Sequence, residues 1–417
     1  VCASAAYARG ATGNGIKVAV LDTGVLAANA DGATNTSHAE LSNVVNFTSG
    51  SDAVNNDDTP HDDQGHGTHV AGIIAADKGD GGMHGVAYDA SLYIFKNINA
   101  AGSSTTTIMK TAMQKAIAAE VDIINNSYGW ADDGSGGYAG DKYLGSSDCN
   151  SASSCETTIG SAFYTQIEAA GSAGIINVWA AGNESNDNPL AVGGSAIYDD
   201  DFKETTVIVV ATDTYGLSGG SPTNNILASY SNKCGIAADI CIAAPGSIVR
   251  STTYNGSYGY KSGTSMAAPL VSGGLAIIKQ EFSSLTNAQV VDRLFATALD
   301  TDEYSQSSIY GHGLMNLNAA TAAVAGLQTI DGSNLLDDPN TSYYDLVNNT
   351  FTSNAAFSNA LHNALEGRTM EVYDSFDRAN FKTNVDSFFT SGSYTSQNTI
   401  ENHMLRLEPK TTKKVKN

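Results

Sequence analysis

The sequence predicts an α/β protein built on a doubly wound, mostly parallel sheet with helices on both faces. Short runs rich in Val and Ile alternate with helix-like segments from residue 16 to about residue 280. The helix-like segments repeat apolar residues at helical spacing, and the last one is apolar nearly all round. Strands that alternate with helices of this length form parallel sheets that are covered on both faces.

The individual elements follow from these patterns. Strands are predicted at 16–21, 121–124, 175–179 and 207–211. Helices are predicted at 105–120, at 156–170 with an end before Gly171, and at 265–280 as a buried central helix. Stretches rich in Gly, Ser, Asn and Asp at 130–155 and 184–201 are predicted to be long surface loops.

The composition changes near residue 330. The segment 331–417 is rich in Asn, Ser and Thr, contains a helical patch at 356–365 and ends in a basic stretch. We therefore expect a main domain at 1–330 and a C-terminal extension or linker at 331–417.

The chain is strongly acidic, with 43 Asp and Glu against 21 Lys and Arg and a net charge of −22. Such a surface repels nucleic acid and anionic membranes, so neither is an expected partner. No apolar run reaches the roughly 20 residues that span a bilayer. Because the chain opens at Val1 without a signal-peptide pattern, we expect it either to be cytosolic or to have lost a targeting segment.

The five cysteines divide into two close pairs and one remainder. Cys149 with Cys155, and Cys234 with Cys241, lie among loop-forming residues and predict two short-loop disulfides, with Cys2 left over. Metal binding is the competing interpretation, but no C-x-x-C and no adjacent histidine supports it. Disulfides favour an oxidising compartment, and we expect a secreted or cell-surface protein.

Three local sequences carry candidate chemistry. Asp22 in LDTG directly follows the first strand, His66 in GHGTHVAG leads into an apolar helical run, and Ser265 in GTSMAAP opens the buried helix. A doubly wound sheet places its functional site just past the carboxyl ends of its strands. We therefore expect these three side chains to meet in hydrogen-bonding contact.

These residue types suit nucleophilic catalysis. A serine hydroxyl needs a base within reach, histidine can accept its proton, and a buried carboxylate orients the imidazole. A helix N-terminus at Ser265 adds a backbone N–H beside a developing oxyanion. Asn183 in WAAGNES could donate a second hydrogen bond, although a Gly-Asn pair by itself usually only caps a turn.

The four motifs resemble, in this order, those of the subtilase family: DTG at Asp22, HGTH at His66, AAGN at Asn183 and GTSMAAP at Ser265. The resemblance covers about residues 10–325 and implies that 1–330 is the catalytic domain of a monomeric serine endopeptidase. It also implies an acyl-enzyme intermediate, a cleaved propeptide and chemistry that requires no cofactor.

The same resemblance implies a substrate-binding site. Two backbone segments match those that wall the family's P1 pocket, formed by Ser127, Tyr128 and Gly129 and by Ala180, Ala181 and Gly182. Both segments are expected to pair with an extended peptide as strands. The glycines at 129 and 182 predict a pocket that is open to a large P1 side chain.

Other interpretations of the motifs are weaker. LDTG could be half of an aspartic-protease dyad, but no second matching motif exists. His66 and His69 could both bind a metal, but they lack the glutamate of H-E-x-x-H, so His69 is predicted to be structural. GTSMA also differs from G-x-S-x-G, the motif around the nucleophilic serine of α/β-hydrolases. In that class the catalytic Asp and His would follow the serine in the chain.

Acidic clusters at 57–58, 62–63 and 199–201 could bind Ca²⁺ or attract basic substrates, but solvated loop charge is the preferred interpretation. Many subtilases bind Ca²⁺ in the loop after the histidine helix. Here that loop, 77–87, has glycine where side-chain oxygens would be needed. Structural calcium elsewhere is the remaining expectation.

The segments 82–90 and 368–381 resemble subtilase-type autotransporter passengers, which implies a membrane barrel in a longer precursor. The alternative is an ordinary secreted subtilase with an additional C-terminal segment. Two functional alternatives also stay open. One is a silent adhesin on a protease fold, and the other is a narrow processing protease that cuts after basic residues recognised by the aspartates at 199–201.

Overall fold

The computed structural model describes residues 1–26, 38–41, 45–79, 82–129, 142–213 and 226–324, together with five short strands further along the chain. By its internal contacts the chain forms two units, Val1–Ala322 and Ala323–Asn417. The predicted boundary at residue 330 stays a prediction. The helical patch predicted at 356–365 lies outside the described residues.

A seven-stranded sheet forms the centre of the first unit, and all of its neighbouring strands are parallel. The strands are β1 (Lys17–Asp22), β2 (Val45–Asn46), β3 (Ser91–Lys96), β4 (Ile123–Asn126), β5 (Ile176–Ala180), β6 (Thr206–Thr212) and β7 (Cys241–Pro245). Their order is β2-β3-β1-β4-β5-β6-β7. The chain therefore winds outward from β1 in one direction and returns to β4 in the other, which opens a crevice at the carboxyl ends of these two strands.

Helices cover both faces of this sheet, as the sequence predicts. They are α1 (Ala3–Ala8), α2 (His66–Ala75), α3 (Thr106–Ala118), α4 (Ala152–Ile159), α5 (Ser161–Ser172), α6 (Ala191–Gly194), α7 (Asp200–Lys203), α8 (Thr264–Glu281), α9 (Asn287–Ala296), α10 (Ser307–Tyr310) and α11 (Leu317–Ala320). Helix α8 packs against α2 and across β4 to β7, whereas α3 and α5 pack on each other. Within the described residues, no helix is long and apolar enough to cross a membrane.

The alternation of side chains along β1 divides the core into two layers. Ala19 and Leu21 lie in one buried cluster with Met113 of α3 and Ile167 of α5. Because successive strand residues point to opposite faces, Val18 and its neighbours on that face pack on the side of α8.

Two predicted elements differ from the structure. The helix predicted at 156–170 is two helices, α4 and α5, because Gly160 adopts φ +94° between them. The surface loop predicted at 184–201 contains α6, all of whose residues are buried. The backbone there approaches the core closely, since a Cβ at Gly193 would lie 2.6 Å from Cβ of Trp179.

A β-hairpin lies beside the amino end of α2. Its strands, β8 (Val249–Thr252) and β9 (Tyr258–Lys261), are antiparallel. The hydroxyls of Ser251 and Thr252 donate to the carbonyls of His69 and Thr68 at 2.7 Å. These bonds fix the hairpin on the helix that begins with His66.

The predicted cysteine pairs form disulfides in the structure. Cys149 bonds to Cys155 and ties the preceding loop to α4, and Cys234 bonds to Cys241 at the start of β7. Cys2 is free and exposed.

The second unit is described by short strands: β10 (Leu327–Thr329), β11 (Phe351–Ser353), β12 (Thr369–Asp374), β13 (Asn380–Asn384) and β14 (Phe389–Ser391). Strands β10, β12 and β13 form an antiparallel sheet. Strands β11 and β14 form a parallel pair.

Replacing Gly171 tests the packing of α5. A Cβ at this position would meet Cβ and Cα of Phe202 at 1.9 and 2.8 Å. Alanine favours a helix over glycine by about 1 kcal/mol. However, one of the two clashing atoms, Cα of Phe202, belongs to the backbone and cannot rotate away, and overpacking of this kind costs about 1–3 kcal/mol. Gly171→Ala should therefore lower the Tm by a few degrees in a thermal melt followed by circular dichroism. Thr165→Ala on the exposed face of α5 is the control, and it should leave the Tm unchanged or raise it.

Candidate active site

The candidate residues collect at the carboxyl edge of the sheet. Asp22 is the last residue of β1, Ser127 follows the end of β4, and Asn183 follows β5. Helices α2 and α8 begin with His66 and with Thr264–Ser265, respectively. Because β1, β4 and β5 are parallel neighbours, residues distant in sequence come to one edge.

Asp22 and His66 form a direct hydrogen-bonded pair. The imidazole Nδ1 lies 2.8 Å from Oδ1 and 3.0 Å from Oδ2 of Asp22. The carboxylate is fully buried and also accepts from the backbone N–H of Thr23 at 2.8 Å, whereas the imidazole is 23% exposed. Two carboxylate oxygens facing Nδ1 select the tautomer with its proton on Nδ1, which leaves Nε2 free to accept a proton.

Burial and three charged neighbours, Asp22, Asp62 and Lys261, set the pKa of His66. Burial is the largest single influence and lowers the pKa, but the charge and hydrogen bond of Asp22 together outweigh it. Lys261 on β9 lowers the pKa, and Asp62 raises it. The net result is a pKa above the ordinary value for histidine.

Ser265 lies in the first turn of α8 and is partly buried. Its hydroxyl donates to the carbonyl of Ser127 at 3.0 Å. Although both residues belong to the described part of the chain, the structure records no hydrogen bond between Ser265 and His66. The sequence predicts two contacts, Asp22 with His66 and His66 with Ser265. The structure contains the first, whereas the hydroxyl of Ser265 donates to the carbonyl of Ser127 instead of to His66.

Pro269 explains why Ser127, at the end of β4, forms a hydrogen bond to the carbonyl of Ser265. A proline has no N–H, so the carbonyl of Ser265, four residues earlier in α8, loses its helical donor. The hydroxyl of Ser127 supplies the missing bond at 3.0 Å. The Asn125 side chain donates to the Ser127 hydroxyl at 2.9 Å and accepts from Ser272 at 2.9 Å, which ties this contact to the middle of α8.

Thr264 fixes the orientation of the Asn183 side chain. Oδ1 of Asn183 accepts from the backbone N–H of Thr264 at 2.8 Å and from its hydroxyl at 3.1 Å. The hydroxyl of Thr264 in turn accepts from the N–H of Gly182 at 3.2 Å. With Oδ1 held in this way, Nδ2 of Asn183 is left without a hydrogen-bond acceptor among the described residues.

The two segments predicted to wall the P1 pocket follow neighbouring strands. Tyr128 is buried, with its hydroxyl donating to Asn126 at 3.0 Å and its ring edge-on to Trp179. Ala180 and Ala181 are also buried. The side chain of Leu190 lies close to both Gly129 and Gly182. The open pocket stays a prediction.

Asp62 is a functional residue that the sequence reasoning missed. Instead of solvated loop charge, its carboxylate is fully buried and accepts from the N–H groups of Gln64, Gly65 and Thr68. It also accepts from the hydroxyls of Thr23 and Thr68 at 2.8 and 2.5 Å. An aspartate just before a helix start is typical of a capping residue, and that signal could have identified it.

The other acidic positions are structural or remote. Asp57 and Asp58 accept hydrogen bonds from neighbouring loop residues, and Asp63 pairs with the buried Lys96 at 2.9 Å. Asp199 and helix α7 precede the amino end of β6, at the edge opposite His66. This position gives no support to recognition of basic substrates by the aspartates at 199–201.

Metal binding finds little support at these positions. Among the residues that the structure describes, no group of three His, Cys, Asp or Glu could hold an ion. His69 is buried against Gly259, and burial lowers its pKa to about 4. In the loop after α2 the ammonium of Lys78 lies over the ring of Tyr88. Calcium elsewhere stays a prediction.

The fold and the polar side chains at its carboxyl edge are those of a subtilisin-like α/β protein. The chain belongs to the subtilase family, whose family model matches residues 13–313. Membership in this family implies serine endopeptidase activity on peptide substrates.

The relatives cover most of this chain. It is 33% identical to subtilisin NAT of Bacillus subtilis subsp. natto over 76% of this chain and 68% of that protein. It is also 33% identical to subtilisin of Bacillus pumilus over 76% of this chain and 95% of the relative. The solved structure of sphericase matches with a TM-score of 0.55 and 30% identity, covering 73% of this chain and 92% of sphericase.

Replacing Asp62 tests its electrostatic contact with His66. Asp62→Asn removes a negative charge that favours the imidazolium, so the His66 pKa should fall. Lys261→Met removes an opposing positive charge and should raise it. NMR titration of the imidazole ring protons measures both shifts, and the exposed Asp57→Asn variant serves as the reference. Equal His66 titration curves for wild type and Asp62→Asn would contradict the assignment.

Proposed function

We propose that the protein is a secreted serine endopeptidase in which Ser265 is the nucleophile, His66 the general base and Asp22 the orienting carboxylate. The observation that carries the proposal is the Asp22–His66 hydrogen bond at the sheet edge where Ser265 opens α8. Family membership independently supports the reaction class.

The first step requires a rotation of the Ser265 side chain. Its hydroxyl must leave the carbonyl of Ser127 and turn toward Nε2 of His66. That carbonyl belongs to a segment expected to pair with the extended substrate. A substrate N–H therefore competes with Ser265 for the same acceptor, and substrate binding releases the hydroxyl for reaction.

The chemistry then follows from the protonation states. As Oγ of Ser265 forms its bond to the peptide carbonyl carbon, the hydroxyl proton moves to Nε2 of His66. Asp22 keeps the proton on Nδ1 and stabilises the imidazolium. His66 returns its proton to the leaving nitrogen as the C–N bond breaks, and water then hydrolyses the acyl-enzyme by the same base.

The oxyanion of the tetrahedral intermediate has two candidate donors. The backbone N–H of Ser265 lies in the first turn of α8 and lacks an intrahelical acceptor. Nδ2 of Asn183 is the second, since Thr264 holds the amide oxygen. Donors that are fixed before the reaction need no reorganisation when the charge develops.

Localisation and processing belong to the same proposal. Two disulfides fit an oxidising compartment and support secretion or display at the cell surface. A cleaved propeptide, a monomeric state and an origin as an autotransporter passenger are further parts of the hypothesis. Detection of a longer precursor in the producing cell by antibodies against this chain would test the last of these.

The central experiment compares wild type with Ser265→Ala. Wild type should clear casein at pH 8 and be labelled at Ser265 by a sulfonyl fluoride, as mass spectrometry of its peptides would identify. Ser265→Ala should lose both the labelling and nearly all of the hydrolysis, whereas Ser262→Ala, an exposed serine nearby, should keep both. A folded wild type that neither clears casein nor takes the label would favour the silent adhesin.

The oxyanion role predicts a loss in kcat. Asn183→Ala should lower kcat by about 10²–10³, the effect measured for such a donor in subtilisin, with little change in KM. Thr264→Val should lower kcat in the same direction but by less, because it removes one of the two hydrogen bonds that hold the amide oxygen. Thr264→Ser keeps the hydroxyl and should restore most of kcat. An Asn183→Ala loss confined to KM would assign the residue to substrate binding instead.

A further inference from the structure

Leu190 lies between the two segments that are expected to hold the P1 residue. A Cβ built on Gly129 would meet Cδ1 of Leu190 at 2.2 Å. A Cβ built on Gly182 would meet the amide of Asn232 at 2.3 Å, the carboxylate of Glu184 at 2.6 Å and Cγ of the same leucine at 2.9 Å. One leucine side chain therefore contacts both glycine positions. Because glycine has no side chain, these two positions would otherwise leave room for the P1 side chain of the substrate.

Leu190 is held in this place by its own backbone. Its N–H donates to the carbonyl of Ala181 at 2.9 Å, and the preceding Pro189 accepts from the N–H of Leu144 at 3.0 Å. The leucine is only 6% exposed, which indicates a packed side chain rather than a lid on the surface.

A small cavity adjoins the leucine. The cavity beside it, lined also by Ile159 and Val192, has a volume of about 10 Å³. A cavity of that size holds about one water molecule. A large P1 side chain in this position would therefore have to displace a packed leucine.

We propose that Leu190 closes the P1 pocket and restricts this protease to substrates with a small P1 side chain, such as Ala, Ser or Gly. The inference rests on the proposed function, and it reverses the preference that the two glycines predict from sequence. Its physical basis is steric, because inserting a phenyl or isobutyl group into occupied space forces strain on the complex.

The test is a series of peptide p-nitroanilides that are identical except for Ala, Val, Leu or Phe at P1. The concentration of active enzyme is measured first by titration with a phosphonofluoridate, which reacts with Ser265 and carries no P1 side chain. Wild type should cleave the Ala substrate with a kcat/KM at least tenfold above that for Phe. A wild type that prefers Phe or Leu would overturn the inference.

Variants then assign the effect to Leu190. Leu190→Ala should raise the Phe-to-Ala ratio of kcat/KM at least tenfold, and Leu190→Val should raise it by a smaller factor with less risk to folding. Leu294→Ala, a truncation of a buried leucine on α9, should leave the ratio unchanged. An unchanged ratio in titratable Leu190→Ala and Leu190→Val would also overturn the inference.

The two proposals fail in different ways. If folded wild type is not labelled by the phosphonofluoridate at all, the proposed peptidase function fails, and the pocket assignment fails with it. If the enzyme is fully labelled but prefers large P1 residues, only the assignment of Leu190 fails.

Discussion

The parallel direction of β1, β4 and β5 is the constraint on which the candidate site depends. These strands are neighbours, so the residues that follow them meet at one edge regardless of their separation in the sequence. Helices α2 and α8 begin at the same edge and bring His66 and Ser265 to it. Reversing any one of these strands would move its functional residue to the far side of the sheet, about the length of a strand away.

Hydrogen bonds from side chains satisfy backbone groups at the carboxyl edge of the sheet that the helices leave unsatisfied. Pro269 leaves the carbonyl of Ser265 without a helical donor, and the hydroxyl of Ser127 satisfies it. In the turn before α2, Asp62 accepts from backbone N–H groups that the helix itself cannot satisfy. Because an unsatisfied buried polar group costs about 1–3 kcal/mol, these contacts hold the site in place before any substrate arrives.

Charge and volume at the site come from residues outside the recognised motifs. Asp62 and Lys261 act on the pKa of His66 in opposite directions, and Asp22 dominates both. Leu190 contacts both glycine positions that flank the expected P1 pocket. The electrostatic and steric surroundings of the candidate site therefore include residues that come close to it only in the folded chain.

The sequence by itself determined the parallel α/β architecture, the order of the motifs and the pairing of the cysteines, because hydrophobic periodicity and short-range spacing are local properties. It also placed Asp22, His66, Asn183 and Ser265 at the ends of strands and the starts of helices. Only the tertiary structure decided that Asp62 is buried and that Leu190 lies against both Gly129 and Gly182. Burial and steric contact depend on long-range packing, and no local pattern encodes which distant side chain occupies a given space.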